Sequence, residues 1–200
     1  MVRLDRYTLL TMLVVSFIVS CTVKQAAEKP VYTALWDKPE WTQITLDALD
    51  KYGQDLLKAE PTDAVKYCPK FKSVDRKQFY LGLISQLAKF ESSFNTQEKY
   101  TEDFNDAKDK PVVSRGLLQI SEESGRSYGC PIQSGNDLHN SATNLECGIR
   151  ILNRWIPKDG VIQGGQPGAW KGAARYWSPF RKESRLQTFR TYLLALPGCN

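Results

Sequence analysis

Glu91 closes an apolar run, and its position sets much of the chemistry open to this chain. Tyr80, Ile84, Leu87 and Glu91 recur at helical spacing within Phe79 to Glu91, so the carboxyl continues the apolar stripe of a predicted helix. A carboxyl placed there loses water, which disfavours its anion and raises its pKa. That is the condition under which a glutamate keeps a proton near neutral pH and serves as a general acid. The competing expectation is a helix-end glutamate that reaches solvent and does nothing.

The inventory of other reactive groups is short. His139 is the single histidine and sits in Asp137-Leu138-His139-Asn140, with no nucleophile motif of the G-x-S-x-G kind nearby. Zinc sites need several His or Cys ligands, so no metal site is expected. Walker and dinucleotide fingerprints are missing from the sequence, and Gly164-Gly165 in a polar stretch is only a turn signal. No cofactor is therefore expected. Carboxylate chemistry remains, and cleaving a glycosidic bond is the reaction that needs least beyond it.

The elements that must position Glu91 follow from the pattern. Pro39-Glu40-Trp41 opens a helix with Trp41, Thr45, Ala48, Tyr52 and Leu56 on one face, stopped by Pro61. A Pro- and Lys-containing joint, Tyr67-Cys68-Pro69-Lys70, leads to the Glu91 helix, with Asp75 as its cap. Residues 95–110 are polar and acidic, which predicts an exposed loop or a small irregular β-element. A further helix spans Asn144 to Trp155 through Leu145, Ile149, Leu152 and Ile156; a mobile Gly-rich stretch follows over 160–168. A last amphipathic helix covers Glu183 to Leu196 through Leu186, Phe189 and Leu193. The expected fold class is mainly α, one helical domain over residues 39–200 with at most a small β-element and a substrate cleft.

The amino terminus is of another kind. Arg3 and Arg6 precede an apolar run from Leu9 to Val19, too short to span a bilayer, so residues 1–20 are expected to be a secretory signal. Ile18-Val19-Ser20-Cys21 resembles the lipobox of bacterial lipoproteins. That resemblance implies cleavage before Cys21, a diacylglycerol on its thiol, and a tether over residues 21–38. Thr22 after the cysteine implies the periplasmic side of the outer membrane. A plain secretory peptide with an incidental cysteine is the alternative. Five cysteines then leave four, and an oxidising compartment favours two disulfides. Three pairings are possible; Cys130–Cys147 and Cys68–Cys199 are the expected ones, each contributing about 2–4 kcal/mol.

The chain of 200 residues is 42% hydrophobic and carries a net charge of +5. The expected signal removes two Arg and one Asp, leaving +4. Such mild basicity suits an anionic wall or membrane surface, and no Lys/Arg run with interleaved aromatics suggests nucleic acid. A monomer is expected.

Four sequence blocks resemble the soluble lytic transglycosylases, a bacterial branch of the lysozyme-like superfamily. Glu91-Ser92-Ser93-Phe94-Asn95 is similar to E-S-x-[FY]-N, and Ser114-Arg115-Gly116-Leu117-Leu118-Gln119-Ile120 to S-x-G-L-[ML]-Q-I. Asn144 to Leu152 is similar to N-[IL]-x-x-G-x-x-x-L, and Ala173-Ala174-Arg175-Tyr176-Trp177 sits where the family places A-x-A-Y-N. The resemblance implies Glu91 as acid/base, the Tyr176 hydroxyl positioning it, Gln119 contacting substrate, Gly116 and Leu117 shaping the cleft wall, and Ser93 as a local partner. Trp177 stands where the family has Asn, and Ser121 where many members have Met. The spacing from Glu91 to Gly116 is longer than in the family.

By that resemblance the substrate is peptidoglycan. The implied reaction cuts the bond between N-acetylmuramic acid and N-acetylglucosamine without water, leaving 1,6-anhydro ends. A lysozyme-type hydrolase on the same fold is the rival; its second carboxylate would come from Glu98, Glu102, Asp103, Asp106, Asp109 or Glu122. A non-catalytic peptidoglycan-binding lipoprotein is the third possibility, favoured only by Trp177.

Overall fold

The computed structural model describes residues 31–200. The signal segment and Cys21 lie outside the described residues. Among the described residues no helix is long and apolar enough to cross a membrane.

The helix that carries Glu91 is central. α3 (Arg76–Ser92) starts where the Asp75 carboxylate accepts the backbone N–H of Lys77, at 2.8 Å. From Gln78 to Ala88 every residue is buried, so this helix is apolar all round and must be enclosed by others. The enclosing elements are α1 (Pro39–Tyr52) on one side and α6 (Glu183–Leu194) on another. The first predicted helix divides at Gly53 into α1 and a short α2 (Gln54–Lys58), while Leu56 still reaches the core. α5 (Ser141–Asp159) packs on α1 and α2 through Leu145, Ile149, Leu152 and Ile156, all buried as their spacing predicts.

The β-structure is small and lies beside the end of α3. Strands β1 (Lys99–Asn105), β2 (Pro111–Arg115) and β3 (Ile120–Ser121) form an antiparallel meander. Pairing of β1 with β2 is regular from Lys99↔Arg115 to Thr101↔Val113 and then shifts before Asn105↔Pro111, leaving an irregular stretch around Glu102. α4 (Glu122–Ser127) follows directly, with the Ser121 hydroxyl as its cap.

Three expectations are corrected. The tether does not extend to residue 38. Thr33 exchanges two hydrogen bonds with the Gln78 side chain (2.9 and 2.8 Å), Leu35 N–H donates to Ser85 Oγ (3.1 Å), and Trp36 is 5% exposed. Its indole is an apolar anchor that composition averaging over a polar segment conceals. The Gly-rich stretch is held in place as well. β4 (Gln163–Gly164) pairs with β5 (Lys171–Gly172), and the Asp63 carboxylate accepts the N–H groups of Ile162 (2.7 Å) and Gln163 (3.1 Å). The domain begins before Pro39, since residues 32–38 are part of its packing.

Both expected disulfides are present. Cys130–Cys147 staples the segment after α4 to α5, and Cys68–Cys199 ties the carboxyl end to the joint before α3.

Candidate functional site

α3 ends abruptly just past Glu91. Ser93 (φ 50°) and Phe94 (φ 67°) both take left-handed backbone, which turns the chain away from the helix axis. The Ser92 hydroxyl, buried, reaches the carbonyls of Ala88 (3.1 Å) and Leu117 (3.0 Å), fixing the helix end to the loop that precedes β3. Glu91 is thereby presented at the rim of the core, half-buried and with no hydrogen-bond donor directed at its carboxyl among the described residues. Loss of solvent, reinforced by the Glu102 charge, pushes its pKa up from 4.5 to about 7. Arg181 and Lys182 oppose the rise.

A cleft of about 360 Å³ opens over this carboxyl. Its lining includes Glu91, Glu102, Ser114, Gln119, Tyr176 and Arg181. Glu102 comes from the irregular stretch of β1, and its Oε1 accepts the Ser114 hydroxyl at 2.6 Å. Tyr100 pairs with Ser114, so strand alternation puts Glu102 on the face of Ser114, toward the cleft, while its strand neighbours on either side are exposed. Arg181 is held against the opposite wall: its Nε donates to the Ala174 carbonyl (2.7 Å) and its Nη2 to those of Arg175 (3.0 Å) and Tyr176 (3.3 Å). Gln119 has left-handed backbone (φ 48°); its amide nitrogen donates to the carbonyls of Gly116 (2.9 Å) and Glu98 (3.2 Å), and its Oε1 is buried without a partner. A second, smaller hollow of about 100 Å³ reaches Glu91 from behind, beside Lys182 and Arg185.

The sequence-selected residues divide into two sets. Glu91, Gln119, Tyr176 and Trp177 line the cleft. Gly116 and Leu117 instead build the support behind it. A side chain at Gly116 (φ 75°) would fall 2.1 Å from the Leu138 carbonyl oxygen and 2.4 Å from Asn144 Nδ2, so only glycine fits. Asn144, fully buried, gathers this region: its Oδ1 accepts Leu118 N–H (2.8 Å), and its Nδ2 donates to the carbonyls of Arg115 (2.9 Å) and Leu138 (2.8 Å).

Other expected roles change. The Tyr176 hydroxyl does not hold Glu91; it accepts the backbone N–H of Ser121 at 3.2 Å, and its ring packs edge-on against Trp177. Ser93 is exposed and serves only the helix turn, while its neighbour Ser92 makes the bonds. Trp177 is 2% exposed and donates its indole N–H to the Leu118 carbonyl at 2.8 Å, so it is chiefly a wall residue. Glu122 is tied to Arg126 at 2.8 Å and lines a separate hollow by the hairpin. Glu98 takes a hydrogen bond from Asn95, and Asp106 caps the hairpin turn through Lys108 and Lys110 N–H. Glu102, one of six acids left open by the sequence, and Glu123, which the sequence reading did not offer, share the cleft with Glu91; of the two, Glu102 is the one whose charge acts on the Glu91 carboxyl. Arg181 and Ser114 carried no signal as cleft residues.

Among the described residues no group of three or more His, Cys, Asp or Glu side chains is arranged to hold a metal ion. His139 Nδ1 pairs with the Thr96 carbonyl at 2.9 Å.

No family model matches the chain, and no curated protein matches it. Three solved structures of the protein DslA are similar to it. The wild-type form is 43% identical, over 84% of this chain and 98% of that one, with a TM-score of 0.79. Two variants, each with one glutamate replaced by glutamine, are 43% and 44% identical, with TM-scores of 0.80 and 0.77. They cover 84% and 83% of this chain and 98% and 94% of theirs, and their substituted positions lie eleven residues apart. At this identity and coverage, the chain belongs to the DslA family.

Proposed function

We propose that this protein is a peptidoglycan-cleaving enzyme that hydrolyses the β-1,4 bond between N-acetylmuramic acid and N-acetylglucosamine, with Glu91 as general acid and Glu102 as the companion carboxylate. The observation that carries the reading is a carboxyl at the rim of the core that shares one cleft with a second carboxylate; burial first, and that neighbour's charge second, push its pKa up to about 7. The resemblance of the Glu91, Gly116, Asn144 and Tyr176 blocks to lytic transglycosylases supports the substrate class. The spacing in DslA supports the pair: glutamates eleven residues apart were substituted there, and Glu91 and Glu102 are eleven apart here.

Protonated Glu91 donates to the glycosidic oxygen as the bond to the anomeric carbon breaks. The leaving sugar departs as an alcohol, and positive charge grows on the ring carbon and oxygen. Glu102, held by Ser114, meets that charge with a carboxylate and takes the proton of the attacking water. The new Glu91 anion is drawn toward Arg181 and Lys182, the two cations that already favour it. Donating the proton therefore moves Glu91 toward charges that offset its burial.

A lytic transglycosylase is the second reading, favoured by the four motif blocks. There Glu91 would act as acid and then as base on the muramoyl 6-hydroxyl, and Glu102 would only stabilise charge. Digestion of purified sacculi in isotopically labelled water separates the two. Hydrolysis gives reducing ends carrying the label; transglycosylation gives unlabelled 1,6-anhydro ends and would overturn the hydrolytic assignment. Intact sacculi after prolonged incubation would overturn both. We further propose that the chain is exported and anchored through lipidated Cys21 at the periplasmic side of the outer membrane, and acts as a monomer.

A further inference from the structure

A second concave surface lies next to the catalytic cleft. It is a groove of about 920 Å³ on the outer side of α5, lined by Tyr52, Tyr128, Arg150, Arg154, Trp155 and Lys158, together with one acid, Asp55. Arg150, Arg154 and Lys158 follow one another at four-residue intervals and so form a single row of cations along the helix. Like charges at that spacing repel by a few tenths of a kcal/mol each. An ordinary solvated helix face relieves this with alternating acids. Here only Arg150 is paired, with Glu146 at 2.8 Å; Arg154 and Lys158 are exposed and have no carboxylate partner among the described residues.

The aromatic floor is fixed. The Trp155 indole donates its N–H to the Tyr128 hydroxyl at 2.7 Å, which fixes the ring in the groove lining. Lys158 Nζ stands 4.9 Å from the Trp155 ring centre, and the Arg154 guanidinium 5.8 Å. Arg150 lies 3.6 Å over the Tyr52 ring. Held rings flanked by uncommitted cations bind a ligand that combines carboxylates with aliphatic or sugar surface.

The walls of groove and cleft touch at two places. Arg175 lines the cleft and also sits 4.5 Å over the Trp155 ring, locked by Asp159 through bonds of 2.6 and 2.9 Å. Tyr128 packs edge-on against Tyr176 of the cleft, with ring centres 6.2 Å apart. The groove thus adjoins the cleft, on the side where branches of a polymer held there can extend.

We propose that this groove is a second binding site, which takes the acidic peptide branches of the glycan strand being cut. The inference rests on the peptidoglycan reading of the cleft. Arg154 and Lys158 pair with branch carboxylates, and the Trp155 face covers the aliphatic part of the peptide. The site favours peptide-bearing wall over bare glycan.

The test compares the full-length chain with its Arg154→Ala/Lys158→Ala double variant on two substrates: intact sacculi, and sacculi whose peptides have been removed by an amidase. The expected result is unchanged turnover on stripped glycan and a rise in KM of roughly tenfold on intact sacculi, with kcat preserved. Co-sedimentation of the Glu91→Gln chain with intact sacculi should weaken by a similar factor on adding the two substitutions. That second readout needs no catalysis, so it separates the groove from the chemistry: a wild-type chain that cuts neither substrate refutes the cleft assignment alone. Equal impairment on both substrates, or none on either, overturns the groove assignment. So does a double variant that loses binding to anionic lipid vesicles while retaining sacculi, since that outcome gives the groove to a membrane surface.

Discussion

Replacing Glu91 with Gln should make the fold more stable at neutral pH while removing activity. In the folded chain burial and the Glu102 charge raise the Glu91 pKa from 4.5 to about 7. The fold therefore binds a proton in that interval that the unfolded chain has released, so stability is full below about pH 4.5 and falls as pH rises through about 7. Each pKa unit corresponds to about 1.4 kcal/mol, so the charged carboxylate costs the native state about 3 kcal/mol above pH 8. Gln has the same shape and cannot ionise. The expected gain for Glu91→Gln is near zero at pH 4 and about 3 kcal/mol at pH 8, or roughly 6–12 °C in Tm for a domain of this size. Urea unfolding of both full-length proteins across pH 4–8 measures it. The carboxylates with lowered pKa values, Asp106, Asp137, Asp159 and Glu122, are common to both proteins and cancel in the difference. A stability difference that does not change with pH, or a variant less stable than wild type at pH 8, would refute the claim that desolvation keeps this proton bound.

Glu102→Gln should abolish hydrolysis and, by deleting the neighbouring negative charge, bring the Glu91 pKa below about 7; carbon-detected NMR titration of Glu91 reads this directly, and an unmoved pKa would separate the two carboxylates electrostatically. Gly116→Ala forces a Cβ to 2.1 Å from the Leu138 carbonyl on a left-handed backbone, so it should cost roughly 2–4 kcal/mol in urea unfolding.

The helical frame was legible because single residues decide it. Asp75 caps α3, the apolar spacing of Leu145 through Ile156 fixes the inner face of α5, and the continuous apolar run before Glu91 has nowhere to go but the core. Glu91 inherits its place from that local rule. Counting cysteines with Cys21 set aside gave two disulfides and three ways to pair them; the structure has the expected pairing, Cys68–Cys199 and Cys130–Cys147. Trp36 and Tyr176 were not legible in the same way. Trp36 is an isolated ring in a polar segment, and the Tyr176 hydroxyl goes to the partner that β3 happens to bring near, Ser121. Trp177 looked like a departure in the site, yet its N–H satisfies the Leu118 carbonyl and its ring fills the wall. An asparagine could make such a bond but could not fill that volume.

Glu102 marks the boundary between what local pattern and tertiary register can specify. Five acids between residues 98 and 109 have equal standing by composition, and strand alternation alone would give every second one the same face. The pairing supplies what composition lacks: Tyr100 lies opposite Ser114, so Glu102, two residues on, shares Ser114's face and is the half-buried member of β1, bonded to Ser114 across the pair. Its orientation thus depends on a pairing register set by the length of the hairpin, and a slip of one residue would turn it to the other face. The acid comes from a helix end that tolerates little change, because Ser92, Leu117 and Gly116 lock it to the core. The second carboxylate comes from a solvent-facing hairpin. On the proposed reading the choice between water and an internal hydroxyl as the nucleophile falls to the hairpin, because Glu102 both supplies the second carboxylate and helps keep the proton on Glu91.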